Sequence, residues 1–407
     1  MSRHFCIDRN VLGSSRHLLV RDTSITWVSN YPNDCWIYYP STVETESCCL
    51  KTLFKLNGID LNANVPTEHL NSFKTILKKD NVSEIVPWQH VLPQQTYHRF
   101  VSSMVKNIHQ QLGAVSTDYF DVYSRVTRVF DTLKPAHIDV KRFDTLYDSE
   151  ENASIKSSIM SFRPDIHGYA SKVIYNRHNS MTGRLTVKSG PEILTIKKEF
   201  RNLITSSYDR GKIYYVDYSA LEARTFLSVV GKVIDNVDIY EDIRVKLGSN
   251  VRRDIVKLAV IMLLYGSGTE QIRQLLGMSY ADTEKFVCQI KEEFCMTTFH
   301  NKLVSEWKDK NTFRNLYGRV IHADSQNLLL NYYVQSSAAD ICLLGYLNII
   351  NLILSENMLI KPLFLLHDAI VLDVHPAYVS VLGDLMEVGS KIEKLGNKFY
   401  MTASEIS

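Results

Sequence analysis

Two β-forming runs, far apart in the chain, each end on a carboxylate. Ile213, Tyr214, Tyr215 and Val216 lead into Asp217, and Leu363, Phe364, Leu365 and Leu366 lead into His367 and Asp368. Apolar and aromatic runs of this length predict strands. Ala369, Ile370, Val371 and Leu372 predict a further strand directly after His367 and Asp368, which makes that pair a tight turn. The stretch from Ala220 to Leu227 predicts a helix directly after Asp217. Any fold that accepts both runs therefore has a sheet with acids at its strand ends. Brought together, two such carboxylates can hold two divalent cations, an arrangement suited to phosphoryl and nucleotidyl transfer. Each acid also has an ordinary reading. Asp217 fits a helix cap, His367 and Asp368 fit turn chemistry, and Asp373 on the following strand reads as facing solvent.

Between the two runs lies Arg253, followed at four-residue steps by Lys257, Ile261 and Tyr265, with Gly266 next. Four residues advance a helix by about 400°, a drift of about 40° per step. The four side chains thus form one slowly turning stripe, with two cations near its start and apolar groups near its end. The cations suit the phosphates of a triphosphate and the apolar end suits a sugar and base. A core helix whose cations snorkel to solvent has the same pattern. Thr182, Gly183 and Arg184 form a turn carrying a cation. Asn331 and Gln335 lie one turn apart on an apolar helix. Buried amides need partners, which base edges, sugars or backbone carbonyls supply.

At 407 residues the chain exceeds one ordinary core, and two or three subdomains are expected. A 45% apolar and 22% charged composition fits a soluble globular protein. A net charge of +2 argues against basic tails but leaves room for a basic groove. The seven cysteines form no Cys-x-x-Cys pair, so zinc and a disulfide framework are not expected. The first residues lack the apolar core of a secretory signal. The uncharged run Ile341 to Ser355 is too short to span a bilayer and reads as a buried helix. A cytoplasmic location is expected.

The N-terminal hundred residues carry the weakest patterns. Strands are predicted around Ser24 to Val28 and Cys35 to Tyr39, with a turn-rich stretch, Asn30 to Asp34, between them. Helices are predicted over Leu50–Leu56, His69–Lys79, Thr96–Leu112 and Tyr119–Leu133. No cluster of acids is evident there. Asp148-Ser149-Glu150 and Glu44-Thr45-Glu46 are isolated.

In order along the chain stand Thr182-Gly183-Arg184, then Asp217-Tyr218-Ser219 with Glu222 and Arg224, then Arg253, Lys257, Tyr265 and Gly266. Asn331, Gln335, Ala339 and Asp340 follow, and last His367-Asp368. This series, from about Tyr119 to the C-terminus, resembles the polymerase domain of family A DNA polymerases, the DNA polymerase I type. The resemblance implies an α+β, right-hand fold: an antiparallel palm sheet, helical fingers and a reduced helical thumb, beside a small N-terminal α/β region. It implies a polymerase domain over 117–407, with thumb at about 117–180, palm at 181–230 and 312–407, and fingers at 231–311. Residues 1–116 are left as an exonuclease remnant or docking module.

The same resemblance implies a template-directed DNA polymerase that adds dNTPs to a primer 3′-hydroxyl. Asp217 and Asp368 would hold two magnesium ions. Arg253 and Lys257 would bind the triphosphate, with Lys257 donating a proton to the leaving group. Tyr218, Glu222, Ile261 and Tyr265 would complete the dNTP site, Glu222 excluding a ribose 2′-hydroxyl. Arg184, Asn331, Gln335 and His367 would meet primer-template DNA, chiefly in the minor groove, where all base pairs present similar acceptors. A processivity factor or a separate exonuclease chain would be a further partner. No membrane is implied. A single-subunit RNA polymerase and an inactive replisome scaffold are the alternatives.

Four features depart from the family pattern. Ala369 stands where an acid usually follows His-Asp. Ile261 replaces an aromatic, and Asn327 replaces an arginine ahead of Asn331. The interval from Asp139 to Thr182 is short for a helical thumb, which implies a weak grip on duplex.

Overall fold

A computed structural model describes residues 4–22, 24–32, 35–39, 49–61, 87–232, 236–248, 251–393 and 395–406. The chain divides into two compact units, residues 1–127 and 128–407. The division falls inside helix Thr117–Thr132.

The first unit is built on a four-stranded sheet in the order Ser24–Val28, His17–Arg21, Phe5–Ile7, Trp36–Tyr38. The first three strands are antiparallel, and Trp36–Tyr38 runs parallel to Phe5–Ile7. The two strands predicted around the turn-rich stretch are therefore not partners but opposite edges of one sheet. Helix Leu50–Leu56 matches its predicted bounds, and helix Gln94–Ala114 buries Tyr97, Phe100, Met104, Ile108 and Leu112 at steps of three and four. That spacing is one apolar stripe on an otherwise polar helix. The predicted helix at 69–79 and the acids Glu44 and Glu46 lie outside the described residues.

The second unit is organised by an antiparallel sheet in the order Ile360–Leu366, Ala369–Val374, Lys212–Tyr218, Met401–Glu405. Helix Leu329–Ser355 packs on this sheet, with the Tyr346 ring 5.9 Å from that of Tyr218. The helix is apolar all round, which fits an interior helix. It is long and apolar enough to cross a membrane by composition alone, but most of it is buried in the core. Gly345 is required where the sheet approaches: a Cβ there would overlap the Tyr218 hydroxyl.

A second core, with Phe226, Ile243, Val256, Val260, Phe286 and Phe294 among its buried members, joins helices Leu221–Val229, Ile239–Lys246, Arg253–Leu264, Tyr280–Glu293 and Met296–Trp307. The short hairpin Thr312–Arg314 and Val320–His322 is tied to the long helix by buried polar groups. Asn315 donates to Asp340 at 2.8 Å, and Arg177 donates to the other Asp340 oxygen at 3.1 Å. Asp340 is wholly buried, so this pair needs the hydrogen bonds it has. Between Asp139 and Thr182 the chain forms two short helices, Val140–Ser149 and Ala153–Met160, and strand Ile174–Asn176.

Candidate active site

Strand Lys212–Tyr218 carries Asp217 next to its last residue. The following helix, Leu221–Val229, begins at an N-cap Ala220 in the left-handed region, φ 53°, with no side-chain cap bond. Asp217 is thus not used as a cap, and its carboxylate is left for the cleft. Leu366 pairs with Ala369, which confines the hairpin loop to His367 and Asp368. His367 takes a positive φ of 41° to close it. Ala369 is in register with Asp217, and the Asp368 carbonyl accepts the Tyr218 N–H at 3.0 Å. One strand pairing and one hydrogen bond therefore bring the two acids side by side.

Among the described residues neither Asp217 nor Asp368 makes an ion pair. The Asp217 Oδ1 atom is buried and has no hydrogen-bond partner. Burial, and then the Asp368 charge, push the Asp217 carboxyl up to about 7. Two neighbouring carboxylates with an unpartnered buried oxygen are what a hard divalent cation corrects. The described residues hold no group of three or more His, Cys, Asp or Glu side chains suited to a metal.

Both acids line one cleft of about 570 Å³. Arg184, Glu222, Arg253, Lys257, Ile261, Gln335 and His367 line it as well. Helix Arg253–Leu264 presents Arg253 and Lys257 to the cleft, both beside the ring of Tyr240, at 5.5 and 5.9 Å from its centre. Glu222 is held by two donors: Arg184, and the Tyr265 hydroxyl at 3.0 Å. Burial opposes the Arg184 charge, but the charges and hydrogen bonds of Glu222 and Tyr265 together outweigh it and raise the guanidinium, while burial, and then Glu222, raise the Tyr265 hydroxyl. Burial, with Arg184 nearby, lowers His367, which favours its neutral form. Gly183 takes φ 71°, and a Cβ there would overlap the Arg319 guanidinium, so the turn before Arg184 calls for glycine.

The placement of Asp373 changes, and Tyr218, Tyr265 and Asn331 do not offer the cleft a free lining side chain. Tyr218 lines the cleft but is 2% exposed, with its hydroxyl donating to the Gly389 carbonyl at 2.8 Å, so its hydroxyl is already engaged. Asp373, expected at the surface, is 1% exposed and accepts from Ser206 Oγ and from both the N–H and Oγ of Ser207. The serines come from a segment the local pattern could not link to it. Tyr265 and Asn331 are not among the cleft-lining residues. Tyr265 reaches the site through Glu222 and Arg184. The buried Oδ1 of Asn331 has no partner.

Two site residues escaped the sequence reading. Asp238 lines the cleft and binds Arg253 through Nε at 2.9 Å and Nη2 at 3.0 Å. Tyr240, 3% exposed, lies beneath both cations. The available signal was Asp238 three residues ahead of Glu241, a helix-start pattern. Asp238 does cap helix Ile239–Lys246, accepting the Glu241 N–H.

The profile of DNA polymerase family A matches residues 146–393. No curated protein matches the chain. Among solved structures, the polymerase domain of Pol1 from M. smegmatis, in complex with DNA primer-template and dNTP, is similar with a TM-score of 0.62 at 13% identity. The similarity covers 88% of this chain and 80% of that one. The profile match spans more than half of the chain, and the chain belongs to DNA polymerase family A.

Proposed function

We propose that this DNA polymerase extends a primer 3′-hydroxyl with deoxynucleotides selected by a DNA template, using two magnesium ions. The observation that carries the reading is the juxtaposition of Asp217 and Asp368 with Arg253 and Lys257 around a single cleft. Asp217 and Asp368 would hold the ions, which when bound make the primer hydroxyl more acidic and neutralise the leaving pyrophosphate.

The rest falls to the chain's own side chains. Arg253 and Lys257 bind the β- and γ-phosphates, and the primer oxygen, its proton passing to water, displaces pyrophosphate at the α-phosphorus. Lys257 gives a proton to the departing oxygen and regains one from water. Glu222, fixed by Arg184 and Tyr265, closes the space a ribose 2′-hydroxyl would need. Its orientation is supported from two directions, so the block does not rest on one rotamer. Arg184, Gln335 and Asn331 read the minor groove near the primer end, and neutral His367 lies beside the primer terminus. Ile261 supplies apolar contact to the sugar without a stacking ring. The short helices between Asp139 and Thr182 give a small grip on duplex, so a partner that encloses the DNA would raise processivity.

Primer extension with magnesium tests this. Wild type is expected to incorporate dNTPs in preference to rNTPs, and Glu222→Ala to narrow that preference by about tenfold or more, the effect of removing a built-in clash. A preference for rNTPs would make the chain an RNA polymerase. Binding of primer-template without incorporation would make it a scaffold.

A further inference from the structure

We propose that Asp238 is an internal competitor for the triphosphate: its carboxylate occupies the Arg253 guanidinium in the resting site and must leave before phosphate oxygens take the same donors. The identity of the ligand rests on the polymerase reading; the contact itself does not.

The geometry is that of a phosphate site already filled. Arg253 is the first residue of helix Arg253–Leu264, and Asp238 caps the neighbouring helix Ile239–Lys246. Two donors on one edge of the guanidinium, Nε and Nη2, point at the Asp238 carboxylate. That edge is the one a phosphate would use for two parallel hydrogen bonds. Asp238 and Arg253 line the same cleft as the paired acids, and the Tyr240 ring keeps Arg253 and Lys257 together on that side. A site without the latch would present both cations to any anion.

The latch is weak enough to open. The Arg253 and Asp238 side chains are 44% and 41% exposed, and ion pairs this exposed contribute little because water screens them. A single phosphate gains about what it must displace. A triphosphate engages Lys257 as well as Arg253 and wins the exchange. Asp238 therefore sets a threshold that favours triphosphates over singly charged ligands, acting through Arg253 as a positioning residue.

Asp238→Asn separates this role from capping, because asparagine caps a helix about as well as aspartate while removing the charge. Binding of inorganic tripolyphosphate would be measured by calorimetry, without DNA or turnover, beside the KM and kcat for a dNTP. Asp238→Asn is expected to bind tripolyphosphate about two- to fivefold more tightly at low salt, the range an exposed pair allows. KM should fall by a similar factor with kcat unchanged, and the gain should shrink as salt rises. In an Arg253→Ala background the substitution should have no effect. Asp238→Ser, another cap former, should give the same sign if Asp238→Asn proves unstable. Unchanged or weaker binding would overturn the proposal, as would a gain that persists without Arg253. Tighter tripolyphosphate binding in a protein that extends no primer would fault the polymerase reading and leave the latch. Normal extension with unchanged tripolyphosphate binding and KM would do the reverse.

Discussion

Asp8 in the first unit and Asp217 in the second begin from the same local plan, an acid at the end of a buried strand with a helix behind it. Asp8 follows strand Phe5–Ile7, is 2% exposed, and caps helix Arg9–Leu12 by accepting the Asn10 N–H at 2.7 Å. It also accepts from the Tyr31 hydroxyl, and His17 stands 3.5 Å away. Asp217 has a strand and a helix too, yet the helix is capped without it, one oxygen has no partner, and a second acid is set beside it. A strand-end carboxylate becomes a site when the local structure leaves its oxygens unsatisfied and the fold adds a like charge. When turn and cap satisfy it, the same residue is structural.

Alanine at either position should separate the two roles most sharply. Asp217→Ala or Asp368→Ala is expected to lower primer extension by about a thousandfold or more, several kcal/mol of transition-state stabilisation. Asp8→Ala should leave turnover within about twofold. Comparable losses at Asp8 and Asp217 would erase the distinction. Stability should show the opposite order. Asp8→Ala removes a cap and a buried acceptor and should cost about 1–3 kcal/mol in denaturant unfolding. Asp217→Asn removes a repelled charge and should stabilise the magnesium-free protein at pH 8.

The smallest effect is on pH. The Asp217 carboxyl is raised to about 7 in the fold, so the stability it contributes is complete below its ordinary value and lost as pH rises through about 7. Magnesium should therefore raise the melting temperature more at pH 8 than at pH 6, by a few degrees at concentrations well above its dissociation constant. Asp217→Asn should flatten that difference. An equal rise at both pH values would mean that the ion binds elsewhere.

The residues that spacing could reach were those whose role depends on one element. Arg253 and Lys257 share a helix face by arithmetic, and His367 with Asp368 is a two-residue loop between complementary runs. The missed roles depend on partners remote in sequence. Ser206 and Ser207 bury Asp373, Gly389 holds the Tyr218 hydroxyl, and Arg253 finds Asp238 on another helix. In the first unit, parallel pairing of Phe5–Ile7 with Trp36–Tyr38 set the sheet order, and a parallel pair has no turn between its strands to announce it.

The sequence by itself determined the strands and helices that carry the candidate site residues, which acids end strands, and which cations share a stripe. These follow from side-chain periodicity and backbone preference, both properties of short segments. Tertiary structure alone decided that Asp217 keeps an unpartnered oxygen while Asp8 does not, and that Arg253 meets the Asp238 carboxylate. Whether a charged group is free or satisfied depends on desolvation and on hydrogen-bond partners, and the fold supplies both from anywhere in the chain.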